Sequence, residues 1–363
     1  MARYPGQEDA ARLSAAVLEG CVAEIFRACG MSAEDASVLA RSLVAADRRG
    51  IHSHGVLRVP EYVEKLRTGG VDPRGRPVIV TDAGSLVVCD GGNSMGQIGA
   101  HFAMALAVER GRRHGIALVA LRGSNHCGAM DQYAMMAVPR GMVGIAASNA
   151  LPTMAPWGGL DKIVGMNPLA VALPAGEETP VVLDIAFGAT AHGKMRVYAR
   201  NNQPIPADWA FDVEGKPTTD AAAALDGLIR PAGGHKGIGL AMAWGLLATA
   251  FSGAAYGTDL GNMRDGPRAG ADGQVFIAID PAPLLDPAVF RARVDRAVRE
   301  VRESRPAAAA AAIYTPGMLE AEIEREYGAD GIPIAGETIA GIREAAGSLD
   351  VATEGWPEAL RLG

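Results

Sequence analysis

The feature that most constrains the fold is a series of short apolar runs in the middle of the chain. Each run is six to eight residues long and is separated from the next by glycine- and proline-containing loops and by longer amphipathic stretches. Runs of this length are typical of central strands, and their alternation with helical stretches predicts an α/β region with a mixed sheet. The runs are IALVAL (116–121), MVGIAAS (142–148), PLAVALP (168–174), PVVLDIA (180–186) and GQVFIAID (273–280).

Helical patterns flank this region on both sides. Apolar residues recur every four positions over 8–29, which predicts a helix ended by Gly30, and Ser32 has the character of a helix cap for a second helix. A chain of 363 residues is long enough for two domains. We predict a helical domain over 1–75, against which C-terminal helices from 315–363 pack, and an α/β domain over 76–314.

Composition and charge exclude some classes of function. The net charge is −7 and the arginines are scattered, so the basic surface that nucleic-acid binding requires is not expected. The four cysteines form no Cys-x-x-Cys motif, and the first residues lack the apolar segment of a signal peptide, which favours a cytoplasmic protein. Residues 237–257 carry no charge over a length that can span a bilayer, but they are rich in glycine and alanine and lack flanking lysine or arginine clusters. We therefore predict a buried core helix there, and no membrane partner.

A histidine-rich loop, GIHSHGVLR (50–58), is the first candidate site. His52 and His54 have a spacing that a zinc site can use, but no third ligand follows at a suitable distance, so we predict no metal. A histidine can transfer one proton when a carbonyl and an alcohol interconvert, and the Arg58 guanidinium suits a substrate carboxylate. The alternative is structural: Ser53 as a cap, a packed histidine and a surface arginine.

Three further stretches carry candidate residues. His126 follows the strand IALVAL in a polar loop, where an α/β sheet commonly binds ligands. Asp184 ends another apolar run, where it either has a ligand or partner or caps the helix predicted over 188–200. The glycines before Lys236 and the helix after it suit an anion, although the Rossmann pattern G-x-G-x-x-G is absent. A tight loop in front of a buried helix is the alternative there.

Taken in order, these stretches resemble one family, the malate/L-lactate dehydrogenase-like 2-oxo-acid oxidoreductases, which are distinct from the Rossmann lactate and malate dehydrogenases. The resemblance covers nearly the whole chain. It rests on ADRRGIHSHGVLRVPEYVEKLRTGG (46–70), GSNHCGA (123–129), SNALPTMAPWGG (148–159), GMNPLAVALP (165–174), VVLDIA (181–186), GKPTTDAAAAL (215–225), GGHKGIGL (233–240) and GQVFIAIDP (273–281).

The resemblance implies a helical domain, a non-Rossmann nicotinamide-binding α/β domain and a homodimer. It implies hydride transfer between NAD or NADP and a small 2-hydroxy or 2-oxo acid such as malate, lactate, ureidoglycolate or sulfolactate. His54, with Ser53 beside it, is the implied proton carrier; some branches of the family assign that role to the residue matching His126. Arg58 is implied to hold the carboxylate. Contacts with the dinucleotide are implied for Asp184, Ile185, Ala186 and Lys236.

The main alternative is a reductase of cyclic imino acids of the Δ1-piperideine-2-carboxylate or Δ1-pyrroline-2-carboxylate type. That branch carries an aspartate where this chain has Lys194, which favours hydroxy acids, whereas AHG (191–193) and His235 resemble the imino-acid branch. Cys127, Met130, Asp131 and Gln132 replace the usual aromatic and small residues of the family and point to a reshaped pocket. A metal-dependent or non-catalytic protein that binds small acids is the alternative from another class.

Overall fold

The computed structural model describes residues 10–308, 310 and 312–362. Its main sheet has the strand order β2-β3-β4-β12-β5-β8-β9, in which β3 and β4 are parallel and every other neighbouring pair is antiparallel. The predicted mixed sheet is thus confirmed. Its strands are β2 (Val78–Asp82), β3 (Leu86–Asp90), β4 (Ile116–Ser124), β5 (Val143–Ser148), β8 (Leu169–Leu173), β9 (Val181–Ile185) and β12 (Asp272–Ile279).

Shorter strands form small pairs outside the main sheet. They are β1 (Ala11–Leu13) with β13 (Ile332–Ile334), β6 (Pro152–Met154) with β7 (Val164–Gly165), and β10 (Ala210–Phe211) with β11 (Leu228–Ile229). The sequence pattern predicted none of these pairs.

The helices largely follow the predicted positions. They are α1 (Ala15–Ala28), α2 (Ala33–Arg48), α3 (Val59–Arg67), α4 (Gly96–His114), α5 (Asp131–Met135), α6 (His192–Arg200), α7 (Ala221–Asp226), α8 (His235–Ala250), α9 (Pro287–Arg302), α10 (Met318–Asp330) and α11 (Gly336–Gly347).

The first helix begins later than the periodicity predicted. Ser14 accepts the backbone N–H of Val17 and is the N-cap of α1, while residues 11–13 are extended in β1. The predicted start at residues 8 and 9 lies outside the described part of the chain. The second helix follows the prediction, since the Ser32 hydroxyl accepts the N–H of Asp35.

Both ends of the chain contribute to one apolar core. Leu18, Ile25 and Leu43 from the N-terminal helices are fully buried together with Ile332 and Ile342 from the C-terminal part. The β1–β13 pair adds backbone hydrogen bonds to this association. Other cores lie on the faces of the main sheet, where strands rich in alanine allow helices α4, α5 and α8 to pack closely.

Helix α8 differs from the prediction of a buried core helix. Ile238, Ala241 and Ala248 are buried against the sheet, but Leu240, Leu246 and Phe251 are 48%, 47% and 58% exposed. One apolar face of this helix is therefore open to solvent. Among the described residues, no helix combines the length and the apolar character needed to cross a membrane.

Candidate active site

A buried carboxylate shapes the histidine loop. Asp47, near the end of α2, accepts the backbone N–H of Val56 at 2.7 Å and pairs with His52 Nδ1 at 2.7 Å. Gly55 passes directly against this carboxylate, because a Cβ atom added there would lie 2.1 Å from Asp47 Oδ1. The loop between α2 and α3 therefore has two short 3-10 turns in a fixed conformation, His52–His54 and Val56–Arg58.

The loop places His54 against His126. The two imidazole rings stack, with centroids 5.5 Å apart and an interplanar angle of 14°. Ser53 Oγ lies 2.9 Å from His54 Nδ1, a contact in which either atom can donate. His126 reaches this position because β4 ends at Ser124 and because Gly96, at the start of α4, lets that helix approach the backbone of Asn125.

A tyrosine and a glutamine hold His126. Tyr62 Oη lies 2.6 Å from His126 Nδ1, and Gln97 Nε2 donates to Tyr62 Oη at 3.1 Å. Since the phenol oxygen accepts from the amide, its own proton is directed at Nδ1, which leaves the proton of the neutral imidazole on Nε2. In this network His126 is a fixed N–H donor, whereas the tautomer of His54 is free to change.

Burial keeps both histidines neutral. It lowers the pKa of His54 to about 4, with a further lowering by the Arg58 charge and an opposing effect of Glu61. Burial, Arg58 and His54 together hold the pKa of His126 well below the usual histidine range. A neutral imidazole is the form that accepts a proton from an alcohol, so the pair is suited to acid/base chemistry.

Arg58 lies at the edge of this pair, and two contacts orient it. Its Nε donates to the backbone oxygen of Ser53 at 2.8 Å, and its Nη1 donates to Glu61 Oε2 at 2.6 Å. The remaining amino group, Nη2, is left to bind a ligand. Glu61 also accepts Arg264 Nε at 3.1 Å, so one carboxylate joins two arginines.

The predicted cofactor residues lie in two separate places. Asp184 Oδ2 accepts the backbone N–H groups of Met130 and Asp131 at 2.9 and 2.8 Å, so it caps α5. The alternative of a cap for the following helix is wrong, because α6 has Ala191 at its N-cap. Burial and then the Asp131 charge raise the pKa of Asp184 to about 7. Ile185 and Ala186, which follow Asp184, are exposed.

Lys236 lies at the first turn of α8. Gly233 and Gly234 precede it with φ angles of 69° and 67°, and no side chain caps the helix N-terminus. In the described part of the chain, the Lys236 side chain is exposed and no hydrogen bond or ion pair joins it to the histidine pair. The backbone N–H groups of the first turn of α8 and the Lys236 ammonium can together bind an anion such as a pyrophosphate.

A cleft of about 390 Å³ lies beside the Lys236 loop. Its walls include Trp157 and Pro231, and Trp157 contacts His235 with ring centroids 5.8 Å apart. None of His54, Arg58 and His126 lines this cleft. The histidine pair therefore lies outside the cleft beside the Lys236 loop.

A model of the family described as malate/L-lactate dehydrogenase matches residues 13–343, most of the chain. The chain belongs to this family. Family membership makes it an oxidoreductase, a nicotinamide-dependent dehydrogenase that interconverts 2-hydroxy and 2-oxo acids. The resemblance, the fold class and the type of reaction inferred from the sequence are thus confirmed.

Individual relatives agree in length and fold. The L-sulfolactate dehydrogenase of Methanothermobacter thermautotrophicus is 36% identical over 333 residues, which cover 92% of this chain and 96% of that protein. The solved sulfolactate dehydrogenase from Methanocaldococcus jannaschii has a TM-score of 0.89 at 34% identity, covering 95% of this chain and 99% of that one. A Delta(1)-pyrroline-2-carboxylate/Delta(1)-piperideine-2-carboxylate reductase of Pseudomonas putida is 34% identical over 279 residues, 76% of this chain and 82% of that protein.

Lys194 and Cys127, which bear on the choice between substrate classes, have defined surroundings. Lys194 Nζ lies 4.6 Å from the Trp209 ring centroid, so this lysine contacts an aromatic ring. Cys127 is buried, and burial raises the pKa of its thiol to about 12. Among the described residues, no three His, Cys, Asp or Glu side chains come close enough together to hold a metal ion.

Tyr62, Gln97, Asp47 and Glu61 were not among the residues selected from the sequence. Tyr62 and Glu61 follow Arg58 by four and three positions in a helical stretch, a spacing that puts all three on one side of a helix. From that spacing, Glu61 and Tyr62 could have been predicted to lie close to Arg58. Gln97 contacts Tyr62 across the fold, and Asp47 contacts the loop that follows its own helix, without a periodic spacing that would have singled it out.

Proposed function

We propose that this dehydrogenase reduces a 2-oxo acid, or oxidises the matching 2-hydroxy acid, at the stacked His54–His126 pair. The observation that carries the proposal is that pair with Arg58 beside it: a proton carrier, a fixed N–H donor and a carboxylate-binding cation in one place. Each group matches one need of the reaction, because the substrate has an acid group to orient and a carbonyl oxygen that gains a proton.

The proposed roles follow from the contacts. Arg58 holds the substrate carboxylate through Nη2, and His126 donates its Nε2–H to the carbonyl oxygen. His54 gives that oxygen a proton during reduction and removes it during oxidation, and Ser53 positions the ring. A carboxylate on Arg58 offsets the charge that lowers the pKa of His54, which favours the protonated imidazole needed for reduction.

A nicotinamide cofactor, when bound, supplies or accepts the hydride at C2. The uncapped N-terminus of α8, with Lys236 exposed on it, fits the pyrophosphate of such a cofactor. We also propose contacts from Asp184, Ile185 and Ala186. For Asp184 the contact is indirect, since its carboxylate already orders the start of α5. NAD and NADP both remain candidates.

We further propose a homodimer formed through the exposed face of α8. Leu240, Met242, Leu246, Leu247 and Phe251 make that face apolar, and no charged side chain interrupts residues 237–257. An apolar surface of this kind is normally covered by a partner. Light scattering should show a dimer, and Leu246→Glu should give the monomer.

The division into a helical domain (1–75 with 315–363) and an α/β domain (76–314) stays a prediction, which the shared core of the two chain ends supports. A cytoplasmic location likewise stays a prediction; the cysteines, all free thiols, support it.

The decisive experiment is a substrate panel. NADH and NADPH oxidation should be followed with 2-oxo acids and with cyclic imines such as Δ1-piperideine-2-carboxylate. We expect a 2-oxo acid to give the highest kcat/KM. The 34% identical reductase of Pseudomonas putida makes imine reduction the second candidate, and faster turnover of a cyclic imine than of every 2-oxo acid would establish it. Absence of turnover and of cofactor binding would refute both.

A further inference from the structure

The carboxylate of Glu61 lies between two arginines at the edge of the site. Its Oε2 is 2.6 Å from Arg58 Nη1 and its Oε1 is 3.1 Å from Arg264 Nε. The Glu61 side chain is only 13% exposed, and its charge is felt at the reacting groups, since it raises the pKa of both His54 and Tyr62. Glu61 thus lies next to Arg58, the residue proposed to hold the substrate carboxylate, and its charge acts on the histidine pair.

The second arginine is held in place independently. Arg264 lies on the loop 262–268, to which the fully buried Lys65 donates hydrogen bonds at Asn262 O, Asp265 Oδ1 and Arg268 O. Lys65 and Asp265 neutralise each other, so they leave the local charge unchanged. Arg264 itself is 58% exposed and extends towards Glu61.

The charges at this edge can be summed. Arg58 and Arg264 contribute two positive charges, Glu61 contributes one negative charge, and the neighbouring His54 and His126 are neutral. The net charge of these groups is therefore +1, which a ligand with one negative charge neutralises. A substrate with a single carboxylate balances it, whereas a second acid group on the substrate meets the Glu61 carboxylate and an arginine that is already paired.

We propose that Glu61 is a specificity-determining residue that selects 2-oxo and 2-hydroxy acids with one negative charge over those with two. The inference rests on the proposed function, in which Arg58 holds the C1 carboxylate. It separates this chain from the relatives named as sulfolactate and malate dehydrogenases, whose named substrates carry a second acid group.

Two acids of nearly identical shape test the proposal. Oxaloacetate carries a second carboxylate, and 2-oxosuccinamate has an uncharged amide in its place. We expect the wild type to have the higher kcat/KM with the amide. Glu61→Gln should shift the ratio of the two kcat/KM values towards oxaloacetate by about tenfold, since a unit charge within several ångströms is removed from a partly desolvated site.

Three further variants serve as controls. Glu64→Gln alters an exposed carboxylate on the same helix and should keep the wild-type ratio. Glu61→Asp retains the charge and should also keep the ratio, even if overall activity falls; a purely structural role would make it resemble Glu61→Gln. Arg264→Gln added to Glu61→Gln should return the ratio towards the wild-type value, because the unpaired second cation is gone.

The outcomes separate this inference from the proposed function. If neither acid, nor any other 2-oxo acid, is reduced with NADH or NADPH, the proposed function fails and the inference fails with it. If both acids are reduced but the wild type prefers oxaloacetate, or Glu61→Gln leaves the ratio unchanged, only the inference about Glu61 is overturned. Another cation would then bind the second acid group of the substrate. Arg196 and Lys162 are the residues to mutate next, because their charges act on His192 together with that of Arg264.

Discussion

The histidine site and the N-terminus of α8 differ in how completely the chain itself satisfies them. Around His54 and His126, contacts within the protein hold the groups in place: Ser53, Tyr62, Gln97 and Asp47 orient the rings and the loop. At α8 the first turn has no cap, Lys236 is exposed and the apolar face is uncovered.

The difference shows which part of the reaction is organised in advance. The groups proposed to move a proton need fixed geometry and a low dielectric, and one folded chain provides both. The groups proposed to bind a charged dinucleotide and a second subunit are left accessible, because a partner must reach them. Mutations at the first region should therefore affect turnover, stability or the binding of the small substrate, and mutations at the second should affect the binding of the cofactor or of a second subunit.

The largest effect is expected at the histidine pair. His54→Asn should lower kcat by roughly 10²–10⁴-fold, the usual contribution of general acid/base catalysis, while reduced cofactor still binds. His126→Asn should cost less, because it removes a proposed hydrogen-bond donor and leaves the proposed proton carrier, His54, in place. Steady-state kinetics with the best substrate, together with cofactor titration, would compare the two.

The control for this comparison is His52→Asn. His52 pairs with Asp47 behind the loop, so its replacement should lower stability and leave kcat nearly unchanged. If His126→Asn is the more damaging variant, the two histidines exchange roles. Near wild-type turnover in both variants would remove the histidine mechanism altogether.

The next effect is on stability and involves Asp47. Asp47→Ala leaves the N–H of Val56 and the ring of His52 without their buried acceptor, so the free energy of unfolding should fall by about 3 kcal/mol. Urea denaturation followed by circular dichroism measures it. Lys236→Met, an exposed change, is the matched control; equal stability of the two variants would contradict the preorganised character of the histidine site.

Arg58→Lys is expected to act on substrate binding. Lysine keeps the charge but cannot contact Ser53 O, Glu61 and a carboxylate at once, so kcat/KM should fall by an equivalent of about 1.5–3 kcal/mol. Cofactor affinity should not change. Unchanged kinetics in both Arg58→Lys and Arg58→Ala would exclude this residue from the site.

A smaller effect is expected at the open region. Lys236→Met should weaken cofactor binding by roughly tenfold at low salt and make the binding less salt-dependent, since one charge–phosphate contact is lost. Fluorescence titration with NADH and NADPH at two salt concentrations measures both quantities. Equal affinity to wild type at each concentration would show that Lys236 does not contact phosphate.

The smallest change is expected for pH. Because the pKa of His54 is lowered to about 4, the free enzyme keeps its neutral base well below the usual histidine range near 6.5. For alcohol oxidation, kcat/KM should vary little between pH 7 and pH 5 and fall only as pH approaches 4. A loss centred near 6.5, in protein that circular dichroism shows to be folded, would mean that His54 is not shielded.

The sequence predicted those helices and strands whose ends depend on neighbouring residues. Ser32 caps α2, Gly30 follows the end of α1, and the short apolar runs form strands of the main sheet. The site loops could also be located, since His54 and Arg58 lie in one nine-residue stretch. These features depend on residues a few positions apart.

Contacts between distant residues could not be predicted in this way. The hydrogen bond between Tyr62 and His126 joins positions 64 residues apart, and β1 pairs with a strand more than 300 residues later. A periodic pattern of apolar residues carries no information about either contact. The exposed face of α8 was also missed. Its apolar composition is equally typical of a helix buried in the core and of one that a second subunit covers.

The position of β12 has a consequence for how this protein is made. Residues 272–279 lie between β4 (Ile116–Ser124) and β5 (Val143–Ser148), two strands that the ribosome synthesises well over a hundred residues earlier. The growing chain therefore exposes the facing edges of two hydrophobic strands until β12 arrives, and the helical core waits still longer for residues 332–334. Closure of this fold is thus a late event in translation, and chaperones that shield strand edges should matter more for it than for a protein whose neighbouring strands are consecutive.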